Sequence, residues 1–271
     1  MRPTPFASFG LLIILLAPLA RADEVTIGLG DHLAPYIVPE AGTGFEVEVF
    51  REALAHTGHV MKPVFLPIKR AATMFANGKL DAAMMDSGID LAVSGGLYAD
   101  PAVIYDNVFI ALSDRHIAIK KPEDLRGLSV LAFPGALARY PGWLSEVDKA
   151  GKYQETNNQI LQVLALSNGE FDVVLSDRYV FRYYAVQLRR KRPLPLLKTM
   201  EYAVIVEDPR DYRAIFRDPV VKADYERGLR FLRDSGRYAA LFSRYVGCLS
   251  LDDRPPEPSC LGDKLAQTTA R

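Results

Sequence analysis

Val25-Thr26-Ile27-Gly28-Leu29 opens the stretch, residues 25–86, that decides the fold. This run is short, apolar and β-branched, and it stops at Gly30, the pattern of a buried strand. Phe45, Val47, Val49, Phe50, Ala53 and Leu54 then recur at helical spacing, and Thr57-Gly58-His59 ends that helix. Residues 60–66 return as a strand. Pro67 opens a second helix with Ala71, Ala72, Met74 and Phe75 on its inner face, closed by Asn77-Gly78. Residues 80–85 supply a third strand. Strands alternating with helices of this length predict a parallel sheet with right-handed crossovers. Ligands of such sheets sit beyond the carboxyl ends of the strands. Here those ends are Gly30-Asp31-His32, Pro67-Ile68-Lys69-Arg70 and Met85-Asp86-Ser87.

Four motifs follow one another along the chain: Ala34-Pro35-Tyr36, Gly44-Phe45-Glu46-Val47-Glu48-Val49, Pro67-x-x-Arg70-Ala71 and Asn77-Gly78-Lys79-Leu80-Asp81-Ala82. Their order and spacing resemble the bacterial extracellular solute-binding proteins of family 3, the two-lobed periplasmic receptors of ABC importers. The resemblance implies a two-lobed α/β periplasmic-binding-protein fold of type II. Two parallel-type sheets flanked by helices would be joined by two crossover strands. It also implies a small polar ligand held between the lobes, an ABC permease as partner, and a monomer.

The second half repeats the logic of the first. Asn168-Gly169-Glu170-Phe171-Asp172-Val173 echoes Asn77-Gly78-Lys79-Leu80-Asp81-Ala82. Strands are expected at residues 128–133, 153–156 and 171–177. Helices are expected after Gly135, over residues 160–166 and from Tyr179 to Arg190. Two β-prone runs, residues 102–112 and 194–206, read as the crossings between lobes. Residues 220–245 read as two helices split near Ser235-Gly236 and returning to the first lobe. The expected division is a leader at 1–22, lobe one at 23–108, lobe two at 109–198, a return to lobe one at 199–247 and a tail at 248–271.

Arg2 followed by an apolar run over residues 9–19 and by Ala20-Arg21-Ala22 reads as a cleaved secretory signal, which places the mature protein in the periplasm. The run is shorter than the roughly 20 residues needed to span a bilayer. Basic and acidic residues number 33 each, so the charge balance gives no case for nucleic acid. In an exported chain Cys248 and Cys260 are expected to form a disulfide. The segment between them has no core-forming pattern, so the bridge would staple a tail, worth about 3 kcal/mol in the chain-entropy picture.

No nucleophile elbow, phosphate-binding glycine loop or His-Glu-x-x-His occurs, and no metal set or cofactor motif is visible. Of the four histidines only His32 falls at a strand's carboxyl end. The expected ligand-binding residues are Tyr36, Arg70, Asp86, Tyr98, Phe133, Gly135, Ala136, Asn157 and Asp177. Asp177 ends a strand, and in the resembled family a carboxylate there commonly holds a ligand amino group; it can also serve as an N-cap for the next helix, and both roles can hold at once. Arg70 lies in a first helical turn, where a cation is unfavourable for the dipole. It therefore reads as either an anion clamp or an ion-pair partner. Asn157 and its neighbour Asn158 are hydrogen-bonding candidates or plain turn residues.

Two departures bear on the ligand. Amino-acid receptors of this kind usually carry Thr-x-x-Arg after the third strand, yet residues 86–100 contain no Arg. The lobe-two helix starts with Gly135-Ala136, which lacks the usual hydroxyl, although its backbone N–H groups remain available to an anion. An enzyme reading, a cyclohexadienyl-dehydratase-like activity on the same scaffold, needs an acid facing a bound carboxylated ring, and the missing Arg argues against it. A third reading is a binding subunit for a sensor or an oxidoreductase.

Overall fold

The computed structural model describes residues 23–31, 33–85, 88–191, 197–204, 212–247 and 249. The leader, His32, Asp86 and both cysteines lie outside the described residues, and the expected disulfide with them.

Two five-stranded sheets form, each built on a three-stranded parallel unit. In the first, β1 (Glu24–Leu29) pairs in parallel with β2 (Val60–Phe65) and with β3 (Ala82–Ala83). The connecting helices are α1 (Phe45–His56) and α2 (Ile68–Ala76). Pro63 sits within β2, where Ile27 faces it; β2 is the sheet's edge, so the missing N–H costs no ladder bond. The third strand is shorter than the sequence predicts. Leu80 turns its side chain into the α2 side of the sheet, and the Asp81 carboxylate accepts the Thr26 N–H, so regular pairing starts only at Ala82.

Two short strands that sequence patterning did not flag complete this sheet. β4 (Leu97–Tyr98) and β10 (Ile215–Phe216) pair antiparallel with each other, and β10 with β3, giving the order β2-β1-β3-β10-β4. The chain thus returns to its first sheet near its end. The return is fastened by α7 (Pro219–Asp234) and α8 (Arg237–Phe242), split at Ser235-Gly236 as the sequence predicts. Asp218 caps α7 by accepting the Val220 and Val221 N–H groups. Tyr225, Leu229 and Leu232 bury that helix against the core that holds α1.

The second sheet has the order β7-β6-β8-β5-β9. Its parallel unit is β6 (Val130–Ala132), β7 (Tyr153–Glu155) and β8 (Val173–Asp177). Helices α3 (Ala136–Arg139), α4 (Pro141–Lys149) and α5 (Gln159–Ser167) connect these strands. β5 (Asn107–Leu112) and β9 (Thr199–Ala203) join antiparallel. Both β-prone runs read as crossings therefore supply a strand to this sheet, because β5 finds partners on both sides. The first crossing proper is the irregular stretch 101–106, and most of the chain between β9 and Tyr212 lies outside the described residues. The second sheet takes in 107–108 and 199–203, on either side of the boundaries expected at 108 and 198.

Helix α6 (Arg178–Lys191) belongs to both cores. Phe181, Ala185 and Leu188 pack under the second sheet, whereas Val180 and Tyr183 enter the core of the first. Phe181, Ala185 and Leu188 are spaced by one helical turn, so α6 presents one face to each lobe.

Candidate functional site

Asp177 and Tyr36 meet where the two sheets approach each other. Tyr36 is placed by the loop after β1, and that loop is pinned by α1. The first N–H groups of α1 are satisfied by loop carbonyls: Phe45 N–H donates to Pro35 O at 3.1 Å and Glu46 N–H to Tyr36 O at 3.0 Å. Gly44 makes this approach possible. Its φ is 139°, and a Cβ there would sit 2.2 Å from the Tyr36 carbonyl oxygen. The Tyr36 ring is 1 % exposed and packs edge-on against Tyr105 at 4.8 Å between centroids.

The Asp177 side chain, 5 % exposed, is surrounded by donors. Its Oδ1 accepts the Tyr179 and Val180 N–H groups at 2.9 Å each, the geometry of an N-cap on α6. Its Oδ2 accepts the Asp106 N–H at 2.7 Å, from the first crossing. The Tyr36 hydroxyl donates across both oxygens at 3.2 and 3.1 Å. Burial pushes the Asp177 carboxyl up to about 6, against the pull of these donors in the other direction. Asp177 is the N-cap of α6, and its carboxylate also accepts from the first crossing and from lobe one.

A second carboxyl lies behind the first. Glu46, on α1 and 1 % exposed, accepts the Tyr105 hydroxyl at 2.6 Å. Burial pushes it up to about 8, only partly offset by that hydrogen bond. Burial, reinforced by the neighbouring carboxylates, also holds the Tyr36 and Tyr105 hydroxyls well above the ordinary tyrosine range.

Beside this pair is a polar aromatic cluster. The Asn107 amide donates to Tyr140 Oη at 2.9 Å and to Tyr212 Oη at 2.7 Å. The Arg139 guanidinium lies 4.4 Å from the Tyr212 ring centroid and donates from Nε to Tyr140 Oη at 3.2 Å. Tyr212 also approaches Tyr105 at 5.1 Å. This cluster links α3, β5 and the return crossing.

Further out, at the strand ends of the second sheet, Glu155 occupies the β6–α3 turn. It accepts N–H groups from Gly135 at 2.8 Å and Leu137 at 3.3 Å, and the Tyr153 hydroxyl at 2.6 Å. Burial pushes its carboxyl up, but Tyr153, those two N–H groups and the Lys69 charge from the first lobe outweigh it and hold it below the usual carboxylate range. The backbone N–H groups after Gly135 are therefore taken by an internal carboxylate, a correction to the expectation that they stand open to an anion.

The remaining sequence-predicted residues are dispersed. Arg70 is exposed in the first turn of α2, and its side chain makes no hydrogen bond or ion pair among the described residues. Phe133 is half-buried against Tyr140 at 6.3 Å, Gly135 holds the positive φ of 88° that starts α3, and Ala136 is buried. Asn157 is exposed beyond β7, while Asn158 caps α5 through Ile160 N–H and Leu161 N–H. Tyr98 sits apart from the Tyr36–Asp177 pair: its ring packs with Phe75, Leu80 and Ile215 on the α2 side of the first sheet, and its hydroxyl bonds Asp90. Sequence reasoning missed Glu155, Lys69, Asn107, Arg139, Tyr140 and Tyr212. Glu155 and Asn107 were findable as polar residues at the end and start of β-prone runs; the rest carry no local signal. No group of three or more His, Cys, Asp or Glu side chains among the described residues is placed to hold a metal ion.

No known protein-family profile matches the chain, and no curated protein matches it by sequence. Solved structures do match. The GluR0 ligand-binding core in complex with L-glutamate is 19 % identical, covers 83 % of this chain and 99 % of its own, and has a TM-score of 0.62. A histidine kinase sensor domain with similarity to periplasmic binding proteins is 20 % identical over 84 % of this chain and 97 % of its own, at 0.61. A mutant of ArgBP from T. maritima is 21 % identical over 82 % and 94 %, at 0.57. These likenesses define the fold: the chain has the two-lobed fold of the periplasmic binding proteins.

Proposed function

We propose that the protein is an exported periplasmic solute-binding protein that closes two lobes on a small polar ligand and delivers it to an ABC importer. The observation that carries this reading is the architecture. Two α/β sheets of matching topology bring residues beyond the carboxyl ends of their parallel strands together, Tyr36 after β1 against Asp177 at the end of β8, the edge at which ligands of such sheets bind. Structures with this fold include an amino-acid ABC transporter substrate-binding protein, AbpA, bound to L-arginine and a putative L-cystine ABC transporter protein. No helix among the described residues is long and apolar enough to cross a membrane. Arg70 and Asn157, exposed on opposite lobes without a side-chain partner among the described residues, serve as ligand contacts. Binding without turnover fits the burial of Glu46 and Asp177, whose carboxyls find their hydrogen-bond partners within the protein. A sensor role is the second reading, favoured by the kinase sensor domain among the matched structures.

The test is native mass spectrometry of protein purified from the periplasm, followed by thermal unfolding with arginine, glutamine, glutamate and non-amino organic acids. A ligand at 100 times its Kd adds about 2.7 kcal/mol of stability. A protein that carries nothing and is shifted by none of these compounds would not be a receptor for this class.

A further inference from the structure

The carboxylate of Asp177 joins three parts of the molecule that must move relative to one another when a two-lobed protein opens. These are lobe one through Tyr36, the first crossing through the Asp106 N–H, and lobe two through the α6 cap. We propose that Asp177 is a proton-sensitive tie between the lobes, and that its protonation weakens the hold on Tyr36. The inference concerns the hinge and stands independently of which ligand the cleft takes.

The argument is one of donors and acceptors. An ionised carboxylate accepts at four positions, and four donors face Asp177. A proton added to one oxygen turns an acceptor position into a donor, and the one neighbour able to accept in return is the Tyr36 hydroxyl, the other three being N–H groups. The two α6 N–H groups are fixed by the helix, and the Asp106 N–H is the shortest contact at 2.7 Å. The Tyr36 hydroxyl, shared between both oxygens at 3.1 and 3.2 Å, is the longest and the one contact that comes from lobe one. It is the contact that changes, from a charge-assisted hydrogen bond to a neutral one roughly half as strong.

The surroundings allow this proton to act alone. Tyr36 and Tyr105 face Asp177 from lobe one and from the crossing, and both hold their protons well above neutral pH. Asp106 is ion-paired with Arg178 at 2.8 Å, and Arg178 also reaches Glu201 of β9 at 3.4 Å, so the nearby charges are matched. Tyr179 follows on α6. Glu46 lies beyond Tyr105 and keeps its proton to about 8, above the range in which Asp177 changes state. Of the two buried carboxyls, Asp177 is the one that changes state around pH 6.

The experiment uses the full mature chain without added ligand. The carboxyl carbon of Asp177 is titrated by NMR between pH 4.5 and 8, and the radius of gyration is followed by small-angle scattering over the same range. The expected result is a midpoint near 6 in both, with the molecule more open on the acid side. Tyr36→Phe should keep the Asp177 titration but abolish the change in scattering, because the tie is already absent. Asp177→Asn, which preserves the helix cap, should show a flat scattering profile; Glu46→Gln should leave the midpoint in place. An Asp177 carboxyl that stays ionised to pH 4.5, a flat wild-type scattering profile, or a Tyr36→Phe protein that still opens on acidification would each overturn the proposal.

Discussion

The Tyr36 hydroxyl lies 3.1 and 3.2 Å from the two carboxylate oxygens of Asp177, joining residues separated by 141 positions in the chain. A hydrogen bond to a buried charge contributes about 1.5–3 kcal/mol. Tyr36→Phe keeps the ring between Tyr105 and Phe45, so it deletes this bond and little else. Urea unfolding at pH 7.5 should show a loss of that size. A loss of only a few tenths would mean that the tie is not made in solution.

Glu46 gives the pH dependence of stability a definite sign. Its folded-state value of about 8 is above the ordinary 4.5, because burial disfavours the charged form. The stability it contributes is therefore fully present below pH 4.5 and is lost as pH rises through 8. Glu46→Gln keeps an acceptor for the Tyr105 hydroxyl and removes the charge. The variant should gain on wild type steadily between pH 5 and 9, by on the order of several kcal/mol. Parallel stability curves for the two proteins would remove Glu46 as the cause.

The parallel halves of both sheets were legible because their signals are local. Phe45 to Leu54 and Ile160 to Leu166 carry helical apolar spacing, and glycines at 78 and 169 mark the same turn in each unit. β4 and β10 were not legible: two-residue strands have no period, and they exist because the chain returns to pair with them. The site divided along the same line. Asp177 was readable as the polar end of an apolar strand, and its cap role followed from the helix after it. That its carboxylate also holds Tyr36 and the Asp106 N–H is a fact of tertiary packing. Glu155 filling the turn after Gly135 depends on the β6–β7 register, in which Ala132 faces Glu155, and no spacing in the sequence encodes that.

Gly228 tests the packing that returns the chain to lobe one. It lies on α7 where α7 crosses α1, and a Cβ there would sit 1.9 Å from the Ala53 carbonyl oxygen. Backbone cannot yield as a flexible side chain can, so the helices must separate. Gly228→Ala should cost about 1–3 kcal/mol, typical of overpacking, despite the better helix propensity of alanine. Thermal unfolding reads it directly, and an unchanged or raised midpoint would show that the two helices are not this close.

Arg70 separates a ligand role from a structural one by the sign of two effects. It stands in the first turn of α2, where the helix dipole disfavours a cation by about 0.3–1 kcal/mol. Among the described residues no carboxylate or carbonyl compensates it, whereas its neighbour Lys69 acts on Glu155 across the gap. Arg70→Gln should therefore leave stability unchanged or raise it by a few tenths of a kcal/mol, within the usual range of surface substitutions. The same change should weaken binding of the co-purifying ligand about tenfold or more, as expected for a charge that becomes desolvated when the lobes close. Calorimetry and thermal unfolding on one protein preparation give both numbers. Lost stability with unchanged affinity would make Arg70 a structural residue and would move the anion-recognising group of the cleft elsewhere.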